Sequence, residues 1–376
     1  MHHLHFLNLP RCLSGGWAKN VDTTLPLSQR CRFSSSMKMM HQFWVVVGLL
    51  VSTFLCASIL FHLRRPPPPP AHPLDRAPSY TITLNDGTLA FHLDPKIYQD
   101  FFPHLQGYQC RELISPDALC QGGPPSGGAP LLLLAVKSHP AASDRRAALR
   151  RTWARPGQVG GFRLQPLFLV AATPDVRHTR LVQEESRAFA DLVIWDFEES
   201  HHNLTLKERC FLRWAHVHCP QAAYVFKGDD DLFVNIEALT EYLRQTPNAS
   251  DFIHGNIQYH SAVMREGKYA VSSALYPMAQ YPNFASGGGF VMPRDSLSGL
   301  YRVSLWLPVF PLDDVYLGFL ALAAGLSHRH EGRFRVWGPP KDELEVYRES
   351  LTVHGLSMER MEQVWKELHS PSQGKA

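Results

Sequence analysis

The sequence predicts an α/β protein, with one catalytic domain built on a mostly parallel central sheet behind a membrane-spanning segment and a stalk. Three observations carry this. From Leu131 onward, short apolar runs alternate with helical stretches, a pattern that implies right-handed crossovers and a sheet covered on both faces. One of these runs, Tyr224-Val225-Phe226, leads straight into Lys227-Gly228-Asp229-Asp230-Asp231. Residues 43–61 carry no charge and are followed by a run of five prolines at 66–70.

With 376 residues, 45% of them hydrophobic, the chain can bury one large core or two small ones. The formal net charge of +3 is spread among charges of both signs, with no long basic run interleaved with aromatics, so no nucleic acid is expected. Residues 43–61 are long enough to cross a bilayer, and Arg64 and Arg65 follow directly. The run is too long and too far from the start for a cleaved leader. Flanking charge does not orient it, because Arg30, Arg32 and Lys38 precede it while Arg64, Arg65 and Arg76 follow it. Met37, Met39 and Met40 lie just before the span, so residues 1–36 are read as an optional extension. The expected order is a cytoplasmic tail at 1–42, a signal-anchor at 43–61, a Pro-rich stem at 62–95, a lumenal catalytic domain at 96–370 and a short tail at 371–376. Prolines in series make the stem a stiff spacer rather than core.

Within the catalytic domain, 131–136 reads as a buried strand. A helix follows from Ser143, taken as its cap, to Trp153. Residues 166–170 and 192–195 are strands flanking a helix at 178–190. A further helix, 205–218, places Leu206, Cys210, Trp214 and Val217 on one face and is stopped by Pro220. Strand 222–226 then delivers the Asp triplet. Later elements are less regular: a strand at 251–257 and a helix marked by Val315, Phe319, Leu322 and Leu326. Four cysteines, Cys110, Cys120, Cys210 and Cys219, follow the span. Their even number suits an oxidising compartment and leaves three connectivities, but Cys210 and Cys219, sharing a helix, are not expected to pair with each other. Asn203-Leu204-Thr205 and Asn248-Ala249-Ser250 are glycosylation sequons, which favours a lumenal C-terminal part.

Three adjacent carboxylates between two apolar runs repel one another. A hard divalent cation such as Mn²⁺ or Mg²⁺ removes the objection, since it takes oxygen ligands and is shared between carboxylates and substrate phosphates. The end of a strand in an open α/β sheet is where such a ligand sits; the plainer reading is an acidic surface turn. Asp313-Asp314 opens a helix, where Asp serves either as cap or as general base. Asp313 is placed nearer the cap role and Asp314 nearer the chemistry. Gly287-Gly288-Gly289, if not simply a flexible turn, allows backbone to approach a ligand and permits positive φ. His354 is either an ordinary histidine or a companion of the carboxylate–metal site. The basic run Arg145, Arg146, Arg150 and Arg151, with Lys137 at the end of the preceding strand, is either a solvated face or a phosphate contact.

These segments together resemble the β-1,3-glycosyltransferases of Golgi type, glycosyltransferase family 31, and within it the β-1,3-N-acetylglucosaminyltransferases. The resemblance runs over about residues 95–368. It rests on Ala135-Val136-Lys137-Ser138, 144–153, Asn203-Leu204-Thr205-Leu206-Lys207-Glu208, Phe226 to Asp231, Phe233-Val234-Asn235, Tyr281-Pro282, 285–290, 310–318 and Val353-His354. It implies a GT-A fold, type II topology in the Golgi membrane, UDP-GlcNAc as donor, a galactose-terminated glycan as acceptor and Mn²⁺ or Mg²⁺ as cofactor. It would make Asp231 and His354 metal ligands together with Asp229. Asp229 and Asp230 would lie beside the nucleotide sugar with Lys137 and Arg146. Asp314 would be the base, with Tyr281, Gly287, Gly288, Gly289 and Asp313 near the acceptor. The sequence departs from the pattern at Ser286, where relatives have glycine, and at Glu345, where relatives carry a cysteine, so the family's disulfides do not transfer intact. The alternatives are a β-1,3-galactosyltransferase using UDP-Gal and a non-catalytic Golgi binding or chaperone protein of the same fold. The acceptor stays open between a poly-N-acetyllactosamine chain, a mucin core, a keratan-type chain and a glycolipid.

Overall fold

The computed structural model describes residues 80–121, 128–246 and 248–370, together with Val47 and Ser52. No helix among these is long and apolar enough to cross a membrane; the expected span at 43–61 lies outside them, apart from those two residues, as do most of the stem and the tail at 371–376. The fold belongs to one unit that starts at Pro78, which corrects the expected boundary at 96: residues 80–95 are part of the domain rather than stem, because Phe91 and Leu93 are buried in its core.

A hairpin of β1 (Ile82–Asn85) and β2 (Ala90–Leu93) precedes α1 (Pro95–Phe101), α2 (Pro103–Gly107) and β3 (Glu112–Ile114). The chain continues through β4 (Leu131–Lys137), α3 (Ser143–Arg151), β5 (Gly157–Val159), β6 (Phe162–Ala172), α4 (Val176–Phe189), β7 (Leu192–Glu198), α5 (Leu204–His218) and β8 (Ala222–Asp229). The remainder comprises β9 (Phe233–Val234), α6 (Ile236–Gln245), β10 (Phe252–Gln258), β11 (Phe284–Pro293), α7 (Arg294–Ser304), α8 (Asp313–Ala323), β12 (Ser327–His330), β13 (Phe334–Arg335), α9 (Leu344–Glu349), β14 (Thr352–Val353) and α10 (Met358–His369).

The main sheet runs β12-β10-β11-β8-β4-β6-β7-β3, with β5 paired to β6. Its centre, β8-β4-β6-β7, is parallel, as expected for strands returned by helical crossovers. The sheet as a whole is mixed, which corrects the expectation of a mostly parallel one. β11 is antiparallel to both β8 and β10, and β3 and β5 pair antiparallel as well. β10 reaches β11 through residues 259–283, which contain no helical crossover to restore the strand direction. A buried apolar run looks the same in either direction, so the sequence does not report this change.

Alternation along β4 divides the core. Leu131, Leu133 and Ala135 pack on one face with Phe211, Trp214 and Phe319. Leu132, Leu134 and Val136 pack on the other with Trp153, Leu239 and Val364. This is the two-residue period of a strand covered on both sides. Two local expectations are corrected. Ser143 is the first residue of α3 rather than its cap, and the preceding Ala142 makes no side-chain cap. Val217 is exposed, while Leu206, Cys210 and Trp214 are buried, so the inward stripe of α5 ends one turn early.

The cysteines pair as Cys110–Cys210 and Cys120–Cys219, with sequence separations of 100 and 99. Cys210 and Cys219 do not pair with each other, as expected, although Cys219 stands just past the end of α5 rather than within it. Both bridges tie the segment around β3 to α5. Loops of this length restrict the unfolded chain strongly. Replacing Cys120 and Cys219 by serine is therefore expected to cost about 2–5 kcal/mol, read as a lower urea midpoint. An unchanged midpoint under oxidising conditions would count against the bridge.

Candidate active site

The carboxyl ends of β4 and β8 lie side by side, with Lys137 and Asp229 as register partners. The Lys137 ammonium sits 3.2 Å from Asp229 Oδ1, 2.8 Å from Asp313 Oδ2 and 4.0 Å from Glu208 Oε1. Burial disfavours its charge, but these carboxylates outweigh that and hold it well above the ordinary lysine value. Beneath it Lys227, fully buried, lies 2.9 Å from Glu208 Oε1 and over the ring of Phe211. Lys227 Nζ meets Glu208 Oε1 as an ion pair, and the other oxygen, Glu208 Oε2, has no hydrogen-bond partner.

His354 reaches the triplet through the small sheet. β9 follows Asp231 closely and pairs antiparallel with β14, which ends just before His354. The Leu356 amide also donates to the Asp231 carbonyl at 2.9 Å. As a result His354 Nε2 stands 3.5 Å from Asp231 Oδ1. One ligand atom from each of Asp229, Asp231 and His354 falls within 4.8 Å of the others. Asp231 Oδ1 is shielded from water and has no hydrogen-bond partner. Such an orphaned oxygen costs free energy unless something binds it. Two carboxylates and an imidazole suit a divalent cation, so the residues present fit the implied metal.

Asp313 and Asp314 form the first turn of α8, which has no side-chain cap. Asp313 therefore does not cap the helix, as its position suggested; it pairs with Lys137 instead. Burial pushes Asp313 up, but the Lys137 ammonium more than offsets this and holds the carboxyl below its ordinary value. Asp314 has no cation in contact. Burial, and then the charge of Asp313, pushes it up to about 8. The Gly287 amide donates to Asp314 Oδ2 at 2.8 Å, and a Cβ at Gly287 would stand 3.0 Å from Oδ1. Glycine is needed here because the backbone meets this carboxylate. Gly288 packs against Val336, and Gly289, at φ +108°, against Thr352. Gly288 and Gly289 thus have a packing reason within the protein, and Gly289 takes the positive φ expected from the sequence.

Asp230 turns away from the metal trio. It accepts from the Ser138 hydroxyl at 2.7 Å and lies 3.6 Å from Arg145, while burial raises its carboxyl. Arg146 is fully buried and corrects an expectation. Its donors go to Glu185, Ser138 and the carbonyls of His139 and Pro140, so it holds the loop after β4 and has no donor aimed at a phosphate. Tyr281 is also buried, stacked on Tyr276 and edge-on to Phe310, which places its ring in the core rather than on an open sugar surface. Of the sequons, Asn248 and Ser250 are exposed, whereas Asn203 donates to the Glu198 carbonyl and Thr205 is fully buried. Sequence reasoning gave no role to Glu208 and Lys227. The available signal was a charged pair, Lys207-Glu208, on the inward side of an apolar helix.

A sequence profile described as galactosyltransferase matches residues 144–332. The chain is 35% identical over 300 residues to human UDP-GlcNAc:betaGal beta-1,3-N-acetylglucosaminyltransferase 9, covering 72% of this chain and 75% of that one. The chain belongs to the galactosyltransferase family. Two more relatives of this galactosyltransferase-family enzyme are the human N-acetyllactosaminide beta-1,3-N-acetylglucosaminyltransferase 4, 38% identical over 62% of this chain and 64% of that one, and the human acetylgalactosaminyl-O-glycosyl-glycoprotein beta-1,3-N-acetylglucosaminyltransferase, 34% identical over 81% and 82%. Among solved structures, a galactosyltransferase in complex with donor and acceptor sugar analogues overlaps at a TM-score of 0.35 and 13% identity, over 65% of this chain and 98% of that one; that overlap is loose, and the fold is described by its own strand order. The chain is a glycosyltransferase.

Proposed function

We propose that this enzyme moves GlcNAc from UDP-GlcNAc, with inversion, to the 3-hydroxyl of a terminal galactose on a glycoprotein or glycolipid glycan. The observation that carries the reading is the pairing, across Lys137, of a cation-ready trio with a half-buried carboxylate of raised pKa. Asp229, Asp231 and His354 would hold Mn²⁺ or Mg²⁺, which when bound supplies positive charge for the leaving diphosphate. Asp314 takes the proton from the acceptor hydroxyl at a carboxylate oxygen, with the Gly287 amide fixing its orientation. Lys137 keeps Asp313 ionised, and the charge of Asp313 in turn raises the basicity of Asp314. A single catalytic carboxylate is then sufficient, unlike the two of inverting glycoside hydrolases. Asp230, held by Ser138 and Arg145, would lie beside the nucleotide.

The GT-A arrangement, a type II Golgi membrane anchor at residues 43–61 and a lumenal catalytic domain are part of the same proposal, supported by the apolar run and by the paired cysteines. A second reading, transfer of galactose from UDP-Gal, is favoured by the description of the matching family profile. Full-length protein in detergent with Mn²⁺ and a galactose-terminated acceptor, offered each donor in turn, distinguishes them. A β-1,3-GlcNAc product from UDP-GlcNAc is expected. A galactosylated product instead, or no turnover of either donor, would reject the proposal.

A further inference from the structure

Trp337 is the most exposed large hydrophobic side chain among the described residues, 87% open to solvent. A single exposed apolar residue usually means nothing; here its setting gives it meaning. The backbone on both sides is fixed. The Phe334 carbonyl accepts from Asn256 of β10 at 3.1 Å, and the Arg335 carbonyl accepts from the His354 amide at 2.9 Å. Val336 is buried directly over Gly288, where a Cβ would come within 2.7 Å of it. Gly338, at φ +82°, turns the chain beside the His354 carbonyl. The backbone that carries the indole is therefore fixed, between His354 on one side and the glycine segment that holds Asp314 on the other.

Ser138, Arg145 and Asp230 lie at the ends of β4 and β8 and on α3. Trp337 instead follows a segment fastened to β10 and to the glycines of β11, the same glycine run whose Gly287 amide holds Asp314. We propose that Trp337 is a substrate-binding residue that stacks its indole on the apolar C–H face of an acceptor galactoside and so helps set acceptor specificity. This rests on the transferase reading above. A pyranose with an axial hydroxyl presents one face of clustered C–H bonds, and a flat, rigid indole with few rotatable bonds covers it at little entropic cost.

The test uses full-length protein with Mn²⁺ and a galactose-terminated disaccharide acceptor. Trp337→Ala is expected to raise the acceptor KM about tenfold, with the KM for UDP-GlcNAc unchanged and Trp337→Phe recovering most of the loss. An acceptor KM within about twofold of wild type, or a rise in the donor KM instead, would overturn the assignment. Titrating the galactoside into wild type and Trp337→Phe, with indole fluorescence as the readout, separates the two claims. A response present in wild type and lost in Trp337→Phe supports the platform even if no GlcNAc product forms. No response from an enzyme that does make product overturns the platform and leaves the transfer reading standing.

Discussion

Asp314→Asn is expected to lower kcat for transfer by about 10²–10⁴-fold while UDP still binds with its wild-type affinity. The amide keeps an oxygen for the Gly287 N–H and nearly the same volume, so the turn at the start of α8 survives. What it loses is the ability to accept a proton. The pH profile adds an independent reading. A base works in its deprotonated form, so activity rises as pH passes upward through its pKa. Asp314 is pushed up by burial and by Asp313, and Lys137 is the cation that holds it down. The acid limb of kcat/KM should therefore lie above the ordinary carboxylate range. Steady-state kinetics across pH, with isothermal titration of UDP, checks both. Turnover of the Asn variant near that of wild type would remove Asp314 from the role of base.

The parts of this site that the sequence revealed are those set by local pattern. Strand–helix alternation from Leu131 to Asp229 reports its own geometry, because each βαβ unit closes over neighbouring segments. The Asp triplet stood out because three carboxylates beside apolar strands are chemically awkward without a ligand. The parts that stayed hidden depend on distant partners. Arg146 looked like one of a row of solvated or phosphate-seeking arginines, yet its guanidinium is spent on Glu185 from the next helix and on the loop after β4. The role of Asp313 changed for the same reason, since Lys137 lies 176 positions away in the chain. The sequence marks His354 as a lone histidine that could join the carboxylates, and the resemblance makes it a ligand; what brings it to Asp231 is the β9–β14 pairing. The glycines at 287–289 were legible as a close approach, but not as an approach to Asp314, Val336 and Thr352.

Asp231→Ala should abolish the cation dependence of UDP binding and, in the absence of cation, leave the fold as stable as wild type or slightly more so. The two expectations have one origin. Asp231 Oδ1 is shielded, has no hydrogen-bond partner and lies next to two other acids, so the folded protein leaves this oxygen unsatisfied. A structural carboxylate would behave in the opposite way, because its removal would strand a donor. Mn²⁺ at a hundredfold excess over its Kd should stabilise wild type by about 2.7 kcal/mol, and the variant by much less, because the trio would be left with one carboxylate and one imidazole. Thermal unfolding with and without Mn²⁺, alongside UDP titrations under both conditions, measures each part. If the variant kept a Mn²⁺-dependent gain in UDP affinity, Asp231 would not be a ligand. If it were markedly destabilised without metal, the carboxylate would be holding the fold together rather than waiting for a cation.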